Sequence, residues 1–113
     1  MKRLSLLLLL TGAGLVLKAQ TAKELIGKWK LVKETKGGVV TQPENTYQVF
    51  EENGVFQGIN GDKSRKGKWK LSADNKYLTI KISIVSLEFE VEYFDAKKRV
   101  ISNDKTGTLE YEK

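Results

Sequence analysis

The sequence contains no cysteine and no histidine. Without cysteine there is no disulfide, thiol nucleophile, iron–sulfur cluster or lipid-bearing cysteine. Without histidine the imidazole acid/base, the Ser-His-Asp triad and nearly every zinc or copper site are lost. Catalysis would fall to a carboxylate pair, a lysine or a tyrosine. The residues therefore argue against an enzyme, and no cofactor or metal is expected. Proline is almost absent as well: Pro43 stands alone, in a loop at 37–45 where it interrupts no strand ladder. What is present is 113 residues, 40% apolar and 30% charged. That composition makes one globular domain at most and does not describe a disordered chain.

The first nineteen residues stand apart. Met1-Lys2-Arg3 is basic, Leu4 to Leu17 is an apolar run broken only by Ser5 and Thr11, and Lys18-Ala19-Gln20 follows. A basic start, an apolar stretch and a small residue at a cleavable position make a secretory signal peptide over 1–19, cut after Ala19. The run is short for a membrane span, which needs about 20 residues. An uncleaved anchor is the alternative, suggested by Lys18 and by Leu17 close to the cut. The chain is thus expected to be exported, periplasmic or secreted, with no stable membrane span after cleavage. Removing Lys2, Arg3 and Lys18 leaves 17 basic against 14 acidic residues, so the formal +6 becomes +3. That is ordinary surface balance and gives no reason to expect a nucleic-acid partner.

Residues 20–113 form the proposed domain. Thr21 and Glu24 make a capping box, with Gly27 as a helix stop, so a short helix opens it. After that the pattern is β. Lys28–Lys36 alternates around Trp29 and Leu31, and Asn53-Gly54 joins Thr46–Glu51 to Val55–Ile59 as a hairpin. Asn60-Gly61-Asp62 and Asp74-Asn75 are further turns. Leu78, Ile80, Ile82 and Ile84 occupy even positions, whereas Leu87, Phe89, Val91 and Tyr93 occupy odd ones. The apolar parity flips at Val85-Ser86, which demands a bulge or, as favoured here, a tight turn. Arg99–Ser102 and Thr108–Lys113 complete about eight strands. This spacing predicts an antiparallel barrel or sandwich with one wet face, and a simple meander of eight strands can close and lose its edges.

Several constellations invite functional readings beside plainer ones. Glu88, Glu90 and Glu92 put three carboxylates on one strand face, which reads most simply as solvated exterior. Lys63, Arg65, Lys66, Lys68 and Lys70 surround Trp69, and Lys28, Lys30, Lys33 and Lys36 surround Trp29. Such clusters attract anionic partners, yet Lys28, Lys30, Lys68 and Lys70 alternate with the tryptophans and so belong to an outer face. Gly54, Gly58 and Gly61 have no helix after them to hold a phosphate and read as hairpin glycines. Asp62, Asp74 and Asp104 read as turn caps. For Tyr47, Val49, Val55 and Ile59 the phase is open: either they face out or Phe50 and Phe56 do.

Gly27-Lys28-Trp29-Lys30-Leu31 recurs as Gly67-Lys68-Trp69-Lys70-Leu71. The pentapeptide reads as two strands with the same local job, a glycine followed by an inward tryptophan. The first copy, entered from a short helix, resembles the Gly-x-Trp opening of lipocalins. Phe50-Glu51-Glu52-Asn53-Gly54-Val55-Phe56 and Gly67–Ser72 followed by Tyr77-Leu78-Thr79-Ile80 resemble stretches of the compact lipocalin-like proteins exported by Gram-negative bacteria. The likeness covers most of 21–113. It implies an all-β, up-and-down, eight-stranded barrel with a short N-terminal helix, whose larger relatives bind small hydrophobic molecules inside. The chain is shorter than those relatives, lacks their cysteines and has no clear C-terminal helix.

Trp29, Phe50, Phe56, Trp69, Ile82, Phe89 and Tyr93 are the expected ligand-binding residues of that interior, with Tyr111 a further inward candidate. Large aromatics bury about 150–250 Å² each and can also fill such a lumen outright, so a packed core and a small apolar pocket both remain open. The expectation is an exported, non-enzymatic barrel that takes a small apolar or amphipathic molecule. The alternative is an interaction module without a cavity, binding a protein or an anionic surface through its outer face or an edge strand. Oligomeric state is not readable from the sequence.

Overall fold

The computed structural model describes residues 23–113. The signal peptide, its cleavage site and Thr21 of the capping box lie outside them. Helix at 23–25 leads the chain in and leaves Leu25 wholly buried at the base of the molecule. Gly27, at φ +132°, turns the chain from that helix into the first strand.

Nine strands follow: β1 (Gly27–Lys36), β2 (Val39–Thr41), β3 (Thr46–Phe50), β4 (Val55–Asn60), β5 (Lys63–Leu71), β6 (Tyr77–Ile82), β7 (Val85–Phe94), β8 (Lys98–Asn103) and β9 (Gly107–Glu112). They form one antiparallel sheet in the order β2-β1-β3-β4-β5-β6-β7-β8-β9, and β9 returns to pair with β1. Eight staves therefore close into a barrel, as the alternation predicts. Among the described residues no helix is long and apolar enough to cross a membrane.

The ninth strand is an appendage. β1 pairs with β3 only from Gly27 to Lys30, so the upper part of its edge would be bare. Gly37 and Gly38, both at positive φ, make a two-residue turn that folds Val39–Thr41 back onto Glu34–Lys36. The sequence predicts loop over 37–45 instead. Two apolar residues in a three-residue strand carry too little periodicity to announce it, and Val39 and Val40 stay exposed.

The parity change between β6 and β7 is resolved by a turn, two residues earlier than expected. Ile82 pairs with Val85, and Ser83-Ile84 form the reversal, with Ser83 at φ +58°. Ile84, counted with the inward set by its even number, projects into solvent at the hairpin tip. Two bulges then shift phase where no sequence signal marks them, between Leu31 and Lys33 in β1 and between Val91 and Tyr93 in β7. The second one corrects an expectation: the extra residue turns Tyr93 outward, opposite Val100, and Phe94 takes the inward position opposite Arg99.

The barrel is packed at one end. Trp29 is fully buried, donates from Nε1 to the Leu25 carbonyl at 2.8 Å, and meets Phe94 edge-on at 6.1 Å. Phe50 lies edge-on to Phe56 at 5.3 Å and to Trp69 at 5.8 Å. Trp69 Nε1 donates to the Glu51 carbonyl at 2.9 Å, tying β5 to the loop beneath β3 and β4. Such edge-to-face pairs satisfy the ring quadrupoles while burying area. The two copies of the pentapeptide share the inward tryptophan but not the reason for the glycine. Gly27 is needed for its backbone angle, whereas a Cβ on Gly67 would run into the Lys81 carbonyl of β6.

Candidate functional site

The helical turn and the loops around 51–54, 72–76 and 95–97 lie at the packed end, and the turns Gly61-Asp62 and Ser83-Ile84 lie at the other. Between the packed aromatics and those two hairpins the lumen is not filled. A cavity of about 380 Å³ opens there, within the about 300–1,000 Å³ usual for small-molecule sites. Strand alternation sets its wall. β4 contributes Phe56 and Gly58, β6 contributes Ile80 and Ile82, and β7 contributes Leu87 and Phe89, with Tyr111 of β9 and Gln48 of β3 toward the floor. Gly58 matters by what it lacks: a Cβ there would point toward the Phe56 ring at 3.4 Å, so the missing side chain is part of the space. The lip is polar, made by Thr46, Asn60, Lys63, Ser64 and Arg65.

Beneath the floor sits a buried cation. Arg99 of β8 is 0% exposed, and its Nη2 donates to Gln48 Oε1 at 2.6 Å. Its guanidinium carbon lies 4.2 Å from the Tyr111 ring centroid, 4.9 Å from Phe50 and 5.0 Å from Trp29. Three aromatic faces and one amide oxygen thus stand in for a carboxylate. Among the described residues, Nε and Nη1 have no hydrogen-bond partner. Burial pushes the arginine pKa down to about 10, still charged at neutral pH. Burial also pushes the Tyr111 hydroxyl up to about 12, against the lowering effect of the adjacent guanidinium, and Glu34 adds to the rise. The bulge in β1 accounts for that last influence, because it sets Glu34 opposite inward Leu109.

Of the seven residues expected to contact a ligand, Phe56, Ile82 and Phe89 line the cavity. Trp29, Phe50 and Trp69 belong to the packed end, where Trp29 and Phe50 stand against Arg99 and Trp69 stands against Phe50. Tyr93 is on the outer wall, where its hydroxyl donates to Asp95 at 2.6 Å. Sequence reasoning missed Gln48, Gly58 and the inward parity of Lys63 and Arg65. The acidic row behaves as exterior: Glu88, Glu90 and Glu92 are exposed, and Glu92 accepts from the Ser102 hydroxyl. Phe50 and Phe56 point in, which leaves Tyr47, Val49, Val55 and Ile59 in the other phase, with Lys28 over the Tyr47 ring at 4.4 Å; Tyr47 and Ile59 still border the cavity at its open end.

Residues 11–111 match the family model of the C-terminal lipocalin-like domain, GH43_C. The chain belongs to this family. Its lipocalin-like barrel is also that of two solved structures. One is a lipocalin-like protein from Bacteroides uniformis, 18% identical, with a TM-score of 0.69 over 80% of this chain and 98% of that one. The other is an uncharacterized protein from Bacteroides eggerthii, 16% identical, with a TM-score of 0.64 over 79% of this chain and 99% of that one. At those identities the likeness carries the fold alone. Comparison with curated proteins finds no match.

Proposed function

We propose that this lipocalin-like domain is an exported, non-enzymatic binding protein that takes a small apolar or amphipathic molecule into the open end of its barrel. One observation carries the reading. The lumen is solid aromatic at one end and hollow at the other, and the hollow is walled by Phe56, Ile80, Ile82, Leu87 and Phe89 under a polar lip. Burying apolar ligand surface against such a wall is favourable by about 25 cal/mol per Å² before the costs of association. A family named for a C-terminal domain also fits an accessory, binding role.

The test is mass spectrometry of the protein purified gently from its native compartment, under native and then denaturing conditions. The expected result is a chain beginning at Gln20 that carries an added small-molecule mass, lost on denaturation. Gly58→Val, which fills the lumen beside Phe56, should remove the added mass while leaving the fold intact. A bare chain that also fails to take up apolar dyes would retire the reading. The second reading, an interaction module, would then gain, because β2 offers a free edge with Val39 and Val40 exposed beside it.

A further inference from the structure

We propose that the ligand carries an anionic headgroup, held at the cavity lip by Lys63 and Arg65 while its tail lies between Phe56, Ile80, Ile82 and Phe89. This rests on the lumen-binding reading and adds to it the chemistry of the head. β5 is rich in cations, but its two phases have different meanings. Lys66, Lys68 and Lys70 occupy the outward phase, where a solvated strand is expected to carry charge. Lys63 and Arg65 share the phase of Gly67, Trp69 and Leu71, whose side chains or missing side chain face the lumen. Both cations line the cavity and remain exposed. That is where a long basic side chain can lay its methylene stem on an apolar wall and keep its head in water.

The electrostatics around them have one sign. No aspartate or glutamate is among the residues lining the cavity. Asp62 precedes Lys63 in the turn without lining the cavity, and Glu44 lies one residue before Asn45 on the neighbouring loop, likewise outside the lining. Among the described residues the single ion pair is Lys33 with Glu110 across β1 and β9, so neither lip cation is neutralised by a protein carboxylate. The floor adds to the same potential, because Arg99 lies directly behind Gln48 and Tyr111. Asn60 and Ser64 supply amide and hydroxyl donors beside the two cations, whereas the Thr46 hydroxyl donates to the Glu44 carbonyl. An anion at the lip meets charge and donors together, and an ammonium meets two like charges there. Entry head-first toward Arg99 is disfavoured, since Gln48 and Tyr111 cover the guanidinium.

The experiment compares three amphiphiles with the same dodecyl tail, each below its micelle-forming concentration: dodecanoate, the neutral glycerol monoester of dodecanoate, and dodecyltrimethylammonium. Binding is read by calorimetry on the wild-type chain and on the double variant Lys63→Glu/Arg65→Glu, with circular dichroism and melting temperature as checks on folding. Both lip residues are exposed, so the variant should fold. Dodecanoate should bind about 10-fold more tightly than the ammonium, and the double variant should reverse that order. Equal binding of all three would overturn the headgroup assignment and leave the lumen reading standing. Binding of none would overturn both. A preference for dodecanoate that survives in the double variant but vanishes in Arg99→Met would overturn the placement of the head at the lip.

Discussion

Arg99 offers a sharp test of how the packed end is held together. Its pKa falls from 12.5 to about 10 on burial, a penalty of about 3 kcal/mol on the charged form. The faces of Trp29, Phe50 and Tyr111 return about 1–2 kcal/mol each. The bond to Gln48 returns about 2 more, while the unpartnered Nε and Nη1 cost about 1–3 each. The two sides close to within a few kcal/mol, so the charge itself is worth little and the volume should matter most. Arg99→Met keeps most of the volume and removes the charge; it should change stability by less than about 2 kcal/mol. Arg99→Ala opens a hole between three rings and should cost about 3–5 kcal/mol. Guanidinium chloride unfolding followed by tryptophan fluorescence reads both variants, since Trp29 lies against the substituted residue. If Arg99→Met proves as costly as Arg99→Ala, the charge and not the filling holds this end, and the reasoning fails.

The other predictions follow from single contacts. Gly67→Ala drives a Cβ into the Lys81 carbonyl and should cost about 3 kcal/mol in denaturant unfolding, through forced separation of β5 and β6; an unchanged midpoint would refute this steric role for Gly67. Ser83→Gly relieves a left-handed residue at φ +58° and should gain about 0.5–1 kcal/mol, a rise of about 4 °C in melting temperature. Asp95 accepts the Tyr93 hydroxyl, which is the main cause of its lowered pKa, and then the amides of Lys97 and Lys98 at 2.8 and 2.7 Å. A depressed carboxylate pKa stabilises the fold above the unfolded value near 4 and loses that contribution as pH falls through the folded value. Carboxyl NMR titration should therefore find Asp95 titrating below an exposed aspartate, and Asp95→Asn should abolish the acid-side loosening of the β7–β8 turn.

The barrel was legible because strands with one wet face alternate. The runs Leu78–Ile82 and Leu87–Val91 and the Asn53-Gly54 turn each carry an unambiguous period or turn chemistry. The site was legible only in part, for the same reason. Thr46–Phe50 reads equally well with Tyr47 and Val49 inward or with Gln48 and Phe50 inward. Lys98–Asn103 puts one apolar residue among two polar ones in either phase, so nothing announces that Arg99 goes in with Ile101. Tyr93 was misplaced because a bulge inserts one residue without a glycine or proline to mark it. The cavity itself is a difference between volumes, an absent side chain at Gly58 against the rings of Phe56 and Phe89, and no single residue type records that.

Closure by one seam has a consequence for how the chain reaches its native state. Eight of the nine strand pairings join segments close in sequence, and only β1 with β9 joins the two ends, with Lys113 Nζ reaching the Glu24 carbonyl at 2.6 Å as the final clasp. Hairpins can form one after another as the chain is made, each at small loop-closure cost. Until Gly107–Glu112 arrives, however, β1 and β8 are both open ladders, able to pair with a second copy as readily as with β9. The interval between the eighth strand and the ninth is thus the stage at which one chain can complete itself through another, and variants that weaken β9 should dimerise by exchange before they unfold.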